Sequence, residues 1–297
     1  MSYRSILLFG LSLLVIHTGN LDGLYAQSTT QNKGVHLIVR GDDIGSCHAA
    51  NVACIRSYKE GIMTTAELMV PCPWFPEAVK LLNENTGLDV GIHVILTSEW
   101  EAYKWRPLTW VPSLTDVDGY FYPTIRQRKD MPPGTALQGA NWKIEEIEKE
   151  MRAQIELAIR KVPHVSHLTC HMGCSNWDPK VNEVYTKLAK EYNLNIMPSE
   201  YDVRRTAGFG NAKNVTERIK KFVEMLEELK PGIHLFIEHP GLDTAEMRAI
   251  GQKGYYDVAQ DRDAVTEVLV SDQVKKAVQK QGIKLISYAD LKKESKR

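Results

Sequence analysis

The chain is 297 residues long, 43% hydrophobic and 25% charged, with Lys+Arg and Asp+Glu both at 37. That length can bury a sizeable core, as one large α/β domain or two small ones. A formal net charge of zero offers no basic excess for nucleic acid and no acidic tail of the kind a disordered partner carries.

Residues 1–26 read as a cleaved secretory signal. Arg4 supplies the positive start, residues 6–16 form an apolar run, and Leu24-Tyr25-Ala26 ends on a small residue before Gln27. The apolar run is shorter than the ~20 residues a spanning helix needs. The mature chain, 27–297, is therefore expected to be exported, periplasmic or secreted, and to keep no stable membrane span after cleavage. Its five cysteines leave at least one free thiol. Cys170 and Cys174 flank His171 with C-x3-C spacing, but no second pair completes a thiolate site, so neither is taken as a ligand. The sequence leaves disulfide pairing open.

After residue 33, strand-like and helix-like runs alternate, which predicts an α/β fold with parallel strands. Strands are expected at 35–40, 64–70, 88–96, 165–170, 194–198, 233–238 and 283–287. Helices are expected between them at 49–59, 76–83, 144–161, 179–192, 215–229 and 271–281. The helix at 144–161 has Ile144, Ile147, Met151, Ile155 and Ala158 at helical spacing, with Glu145 and Lys149 as an i,i+4 pair. Residues 97–141 break the alternation with many Pro, Gly, Trp and Tyr, and an insertion that long usually has a functional role.

Four apolar runs end on chemistry-bearing residues: Asp42-Asp43, His93, His171 and His239. Reactive groups in α/β barrels and open α/β sheets gather at strand carboxyl ends, so four such ends suggest one hydrolytic metal centre. Adjacent carboxylates at a strand exit point in different directions, so one can bind a metal while the other reaches the reacting water. The alternative for this pair is a helix N-cap. Two imidazoles and one carboxylate would make a three-ligand site with open positions. Pro240-Gly241 would turn His239 into the rim, where an imidazole suits protonation of a leaving amine. His36, His167 and His234 lie inside strand patterns and read as structural. The insertion aromatics, Trp105 and Trp110 among them, suit either a sugar-binding lip or ordinary packing.

At these residues the sequence resembles the YdjC-like carbohydrate deacetylase family, which includes the chitooligosaccharide deacetylases. The matching stretches are Gly41-Asp42-Asp43-Ile44-Gly45, Gly61-Ile62-Met63-Thr64-Thr65, Val90-Gly91-Ile92-His93 and His167-Leu168-Thr169-Cys170-His171, followed by His239-Pro240-Gly241, Arg262 and Gly282-Ile283-Lys284-Leu285-Ile286-Ser287-Tyr288. They run in family order from about residue 35 to 291. The resemblance implies a distorted TIM-like (β/α) barrel, a single domain, that removes acetyl groups from N-acetylated sugars with a divalent metal. It implies Asp43, His93 and His171 as metal ligands, Asp42 as base and His239 as acid. Arg262, from the matching stretches, and Trp105 and Trp110, from the aromatic insertion, are candidate substrate contacts. Zinc is the first expectation for the metal, with magnesium, nickel or cobalt as alternatives. The chain departs from the family's common pattern at Arg40-Gly41, Glu67, Thr169 and Met172-Gly173, which bears on substrate identity.

Two other classes are compatible with the residues. A non-haem iron oxygenase also uses two His and one carboxylate, but would leave the second aspartate and His239 without a task. A non-catalytic carbohydrate-binding protein would use the aromatic insertion alone. Neither the sugar nor assembly into a homo-oligomer is fixed by the sequence.

Overall fold

A computed structural model describes residues 34–294. The expected signal segment lies outside the described residues. At the centre is β1 (Val35–Ile44), whose run of apolar residues is buried on both faces, as a central parallel strand must be. One edge of β1 pairs with β6 (Gly232–Glu238) from Val35 to Gly41. The other edge pairs with β7 (Lys284–Leu285) at His36–Leu37 and, further along, with β2 (Thr65–Leu68) from Arg40 onwards. Outward from β2 come β3 (Asp89–Val94) and β4 (Val165–Cys170), and outward from β6 comes β5 (Val203–Arg205). Every pairing is parallel. The sheet curls into a half barrel with β4 and β5 at its ends, which is the expected distorted TIM-like (β/α) architecture.

The period of two along β1 sorts its side chains between two cores. Leu37 and Val39 join the large core shared with the helices. Ile38 points the other way, into a smaller core with Ile196, Ile233, Leu235, Ile286, Tyr288 and Leu291. The C-terminal helix, α9 (Tyr288–Glu294), therefore helps fill the hollow of the half barrel.

The outer helices follow the expected patterns closely. They are α1 (His48–Lys59), α2 (Phe75–Glu84), α3 (Ile144–Lys161), α4 (Pro179–Glu191), α5 (Val215–Glu228) and α8 (Asp272–Lys280). In α3, Ile147, Met151, Ile155 and Ala158 are buried, with Glu145 and Glu146 in the first turn and Arg160 and Lys161 in the last, matching the helix dipole. Between α5 and α8 the chain adds a short α6 (Ala245–Arg248) and an unexpected α7 (Val258–Val270).

Two strand expectations differ from the structure. Residues 194–198 form no strand. Leu194 and Ile196 are buried, but the segment makes one ladder-like contact, Leu168 N–H to Leu194 O at 3.1 Å. The strand beside β6 is instead β5, too short and too charged to show as an apolar run. No described helix is long and apolar enough to cross a membrane.

Residues 97–141 form a largely irregular excursion that α3 pins down. Buried Glu150 accepts the backbone N–H groups of Leu108 and Thr109 at 3.0 and 2.9 Å. Gln154 brackets Ile95, accepting from its N–H and donating to its carbonyl, both at 2.9 Å. Such loop backbone can be buried only because these side chains satisfy it.

Candidate metal centre and catalytic site

The two aspartates sit inside β1 rather than beyond it, at an irregularity. From Gly41 to Ile44, β1 advances three residues while its partners on β2, Ala66 and Leu68, advance two. The extra residue is a β-bulge, a device that re-aims side chains near active sites. Asp43 takes φ +74°, a left-handed conformation that short polar residues tolerate and that collects at functional sites. The turn after it is held by the Ser46 hydroxyl donating to the Asp43 carbonyl at 2.7 Å and by Gly45 N–H donating to Asn51 Oδ1 at 2.6 Å. Plain strand alternation would send neighbouring side chains to opposite faces. The bulge instead brings both carboxylates to one centre: Asp42 Oδ2 and Asp43 Oδ1 each lie 3.8 Å from His93 Nε2.

His93 comes from the end of β3, and His171 directly follows β4. Their rings are 5.3 Å apart and nearly perpendicular. His171 Nδ1 is 3.4 Å from Asp43 Oδ1. One ligand atom each from Asp43, His93 and His171 lies within 4.8 Å of the others. The partners of Asp43 are divided. Its Oδ2 accepts from Arg262 Nη2 at 2.9 Å, while its Oδ1 is buried with no hydrogen-bond partner. A buried oxygen left unsatisfied costs free energy, and a cation among these three atoms would relieve it. Two nitrogens and one oxygen with open positions is also the donor set of a catalytic divalent site. The residues therefore fit a divalent metal.

Burial alone would raise the Asp43 carboxyl, but Arg262, His239 and His171 outweigh it and hold it well below the usual range. Burial pulls His93 down to about 4, so its ring is neutral at neutral pH, the form that binds metals. His171 goes the other way. Burial opposes its charge, but Glu99 and Asp43 win and hold it well above an ordinary imidazole. Glu99 faces His171 Nε2 with both oxygens at 3.2 Å.

Asp42 is gripped by Arg40, with Nε at 2.5 Å from Oδ1 and Nη2 at 2.7 Å from Oδ2. Such a bidentate pair fixes a carboxylate's orientation. His239 follows β6 and is only partly covered. Burial is the largest influence lowering its pKa. Arg262 adds to the shift, while Asp43 and Asp42 oppose it. The sequence-predicted residues Asp42, Asp43, His93, His171 and His239 thus surround one spot.

The three candidate substrate contacts are dispersed. Arg262 is buried against Asp43, with its guanidinium 5.5 Å from the Trp100 ring centre. Trp105 is 2% exposed and donates its indole N–H to the Thr97 carbonyl at 2.8 Å, so it packs the excursion. Trp110 is 83% exposed. All five cysteines are free thiols, and none belongs to the metal-ligand group.

Sequence reasoning gave no role to Glu99, which the irregular excursion delivers to His171. Nor did it link Arg40, Glu67 and Thr169, which the structure joins. Glu67 Oε1 accepts from His167 Nε2 at 2.9 Å and lies 3.7 Å from Arg40 Nε, while its Oε2 accepts from the Thr169 hydroxyl. Gly91 makes room for this carboxylate, because a β-carbon there would overlap Glu67 Oε2 and His167 Nε2. Gly91→Ala should therefore lower stability by about 1–3 kcal/mol, the usual cost of overpacking a close-packed interior. Chemical denaturation checks this, and an unchanged midpoint would mean that the pocket is looser than described.

The model of YdjC-like proteins matches residues 36–280. The chain belongs to the YdjC-like family. A carbohydrate deacetylase of Thermus thermophilus is 32% identical over 238 residues, covering 72% of this chain and 80% of that protein. One from Brevibacillus brevis is 27% identical over 271 residues, covering 86% of this chain and 99% of that protein. A solved Enterococcus faecalis structure, provisionally named for cellobiose-phosphate cleavage, aligns with a TM-score of 0.67 at 21% identity. It covers 87% of this chain and 99% of its own, and supports the fold. The family expected from the sequence motifs is thereby confirmed. Arg40 and Thr169 both meet Glu67, Arg40 Nε at 3.7 Å and Thr169 through its hydroxyl.

Proposed function

We propose that this YdjC-like protein hydrolyses the N-acetyl group of a sugar or oligosaccharide with a divalent metal held by Asp43, His93 and His171. The observation that carries the reading is the partnerless Asp43 Oδ1 between two imidazoles, with a second carboxylate at the same His93 nitrogen. The relatives named carbohydrate deacetylases support the substrate class. A bound divalent ion supplies Lewis-acid polarisation of the acetyl carbonyl and lowers the pKa of water. Zinc suits the mixed nitrogen and oxygen donors best, and magnesium, which prefers oxygen, suits them least.

Asp42, oriented by Arg40, takes the proton from the attacking water. His239 gives a proton to the amine nitrogen as the C–N bond breaks. Because burial disfavours its charged form, the protonated ring passes that proton on readily. Arg262 holds Asp43 in place and leaves its other oxygen free for the metal.

The test is acetate release from a panel of N-acetylated saccharides, with zinc, magnesium, nickel or cobalt added after chelation. Acetate should appear only with metal. No release from any substrate, or release indifferent to chelator, would defeat the reading. His239→Ala should lose about 10²-fold or more on the N-acetyl substrate and clearly less on an activated acetate ester, whose leaving group needs no proton. Equal losses on both would move His239 to another role. Export is proposed from the first 26 residues alone. The mass of the mature amino terminus tests it, and an intact Met1 would count against cleavage.

A further inference from the structure

Each histidine of the candidate metal group has one nitrogen toward Asp43 and a second committed elsewhere. For His93 the second nitrogen is Nδ1, 2.9 Å from the Thr169 hydroxyl oxygen. That hydroxyl has one proton, and it points to Glu67 Oε2. A carboxylate can only accept, so the threonine oxygen must in turn accept from His93. The other Glu67 oxygen accepts from His167 Nε2 and faces Arg40. Burial disfavours charge on Glu67, but His167 and Arg40 outweigh it and hold it down to about 2.

We propose that Thr169, held by Glu67, is a positioning residue that fixes His93 as the Nδ1–H tautomer and so presents the Nε2 lone pair to a divalent metal. The proposal rests on the metal reading given above but makes a claim about the metal-free protein as well. The relay runs across three neighbouring strands: Glu67 on β2, His93 on β3 and Thr169 on β4. His93 and Thr169 are direct register partners, so the hydroxyl meets the ring without a linker. All three side chains are buried, and no water is needed to complete the chain of donors. Outer partners of this kind orient metal-binding imidazoles, and removing one typically weakens metal affinity about 10–100-fold.

The test uses the whole mature protein and the variants Thr169→Val, which keeps the shape and loses the hydroxyl, and Thr169→Ser, which keeps the hydroxyl. Nitrogen-15 spectra of the metal-free wild type at neutral pH should show His93 protonated on Nδ1. In Thr169→Val that preference should be lost, and in Thr169→Ser retained. Zinc titration by calorimetry should show about 10–100-fold weaker binding for Thr169→Val and recovery to within a few-fold for Thr169→Ser. Thermal melts of the metal-free forms separate these effects from misfolding. A wild-type ring protonated on Nε2 overturns the proposal whatever the metal does, as does a Thr169→Val variant that binds zinc like the wild type. If the wild type shows the Nδ1–H tautomer yet binds no metal, the metal reading fails, and with it the presentation of Nε2 to a metal.

Discussion

His171→Ala should abolish divalent-metal binding or reduce it below detection, and remove acetate release with it. The ring is one of the three proposed ligands, and its Nδ1 is 3.4 Å from the partnerless oxygen of Asp43. The loss should have a pH signature in the wild type. In the metal-free protein Glu99 and Asp43 keep His171 charged well above the ordinary imidazole range. A metal must displace that proton, so affinity should weaken as the pH falls and binding should release protons. Calorimetry in buffers of different ionisation heat measures both. Full occupancy in His171→Ala, or binding without proton release, would remove this ligand from the set. His93→Ala should behave in the same way.

Asp42→Asn should keep the metal and lose about 10²–10⁴-fold in turnover, the usual worth of a positioned base. The amide fills the same space and cannot take a proton. Arg40 nevertheless loses half of a bidentate ion pair, so a melt of the variant should accompany the rate. The decisive comparison is with Asp43→Asn, which should weaken metal binding, because Asp43 Oδ1 is the proposed ligand oxygen. If Asp42→Asn lost the metal while Asp43→Asn retained it, the two roles would be exchanged.

Much of this arrangement is legible in the sequence because apolar runs ending on Asp or His announce strand ends, and strand ends share a rim. That logic located Asp42, Asp43, His93, His171 and His239 without knowing which strands are neighbours. The second layer needs that knowledge. Glu67, Thr169 and His167 meet only because β2, β3 and β4 lie side by side, and nothing local in 64–70 or 165–170 states that order. Glu99 is harder still, since it comes from irregular backbone with no period to read. The bulge was also hidden: two adjacent aspartates look the same in sequence whether they diverge or converge. In the fold, α7 escaped notice because it buries Arg262 and Thr266 among its apolar residues, so no clean stripe appears. Residues 194–198 misled in the opposite sense, with apolar side chains that fill space without joining a ladder.

Tyr288 lies flat on His167, with ring centres 3.9 Å apart, and its hydroxyl is 3.4 Å from Arg40 Nη1. The contact with Arg40 reaches across 248 residues from the strand that carries the aspartates. A chain emerging from a ribosome therefore displays its proposed ligands, base and acid before it has made the ring that seats Arg40 and His167.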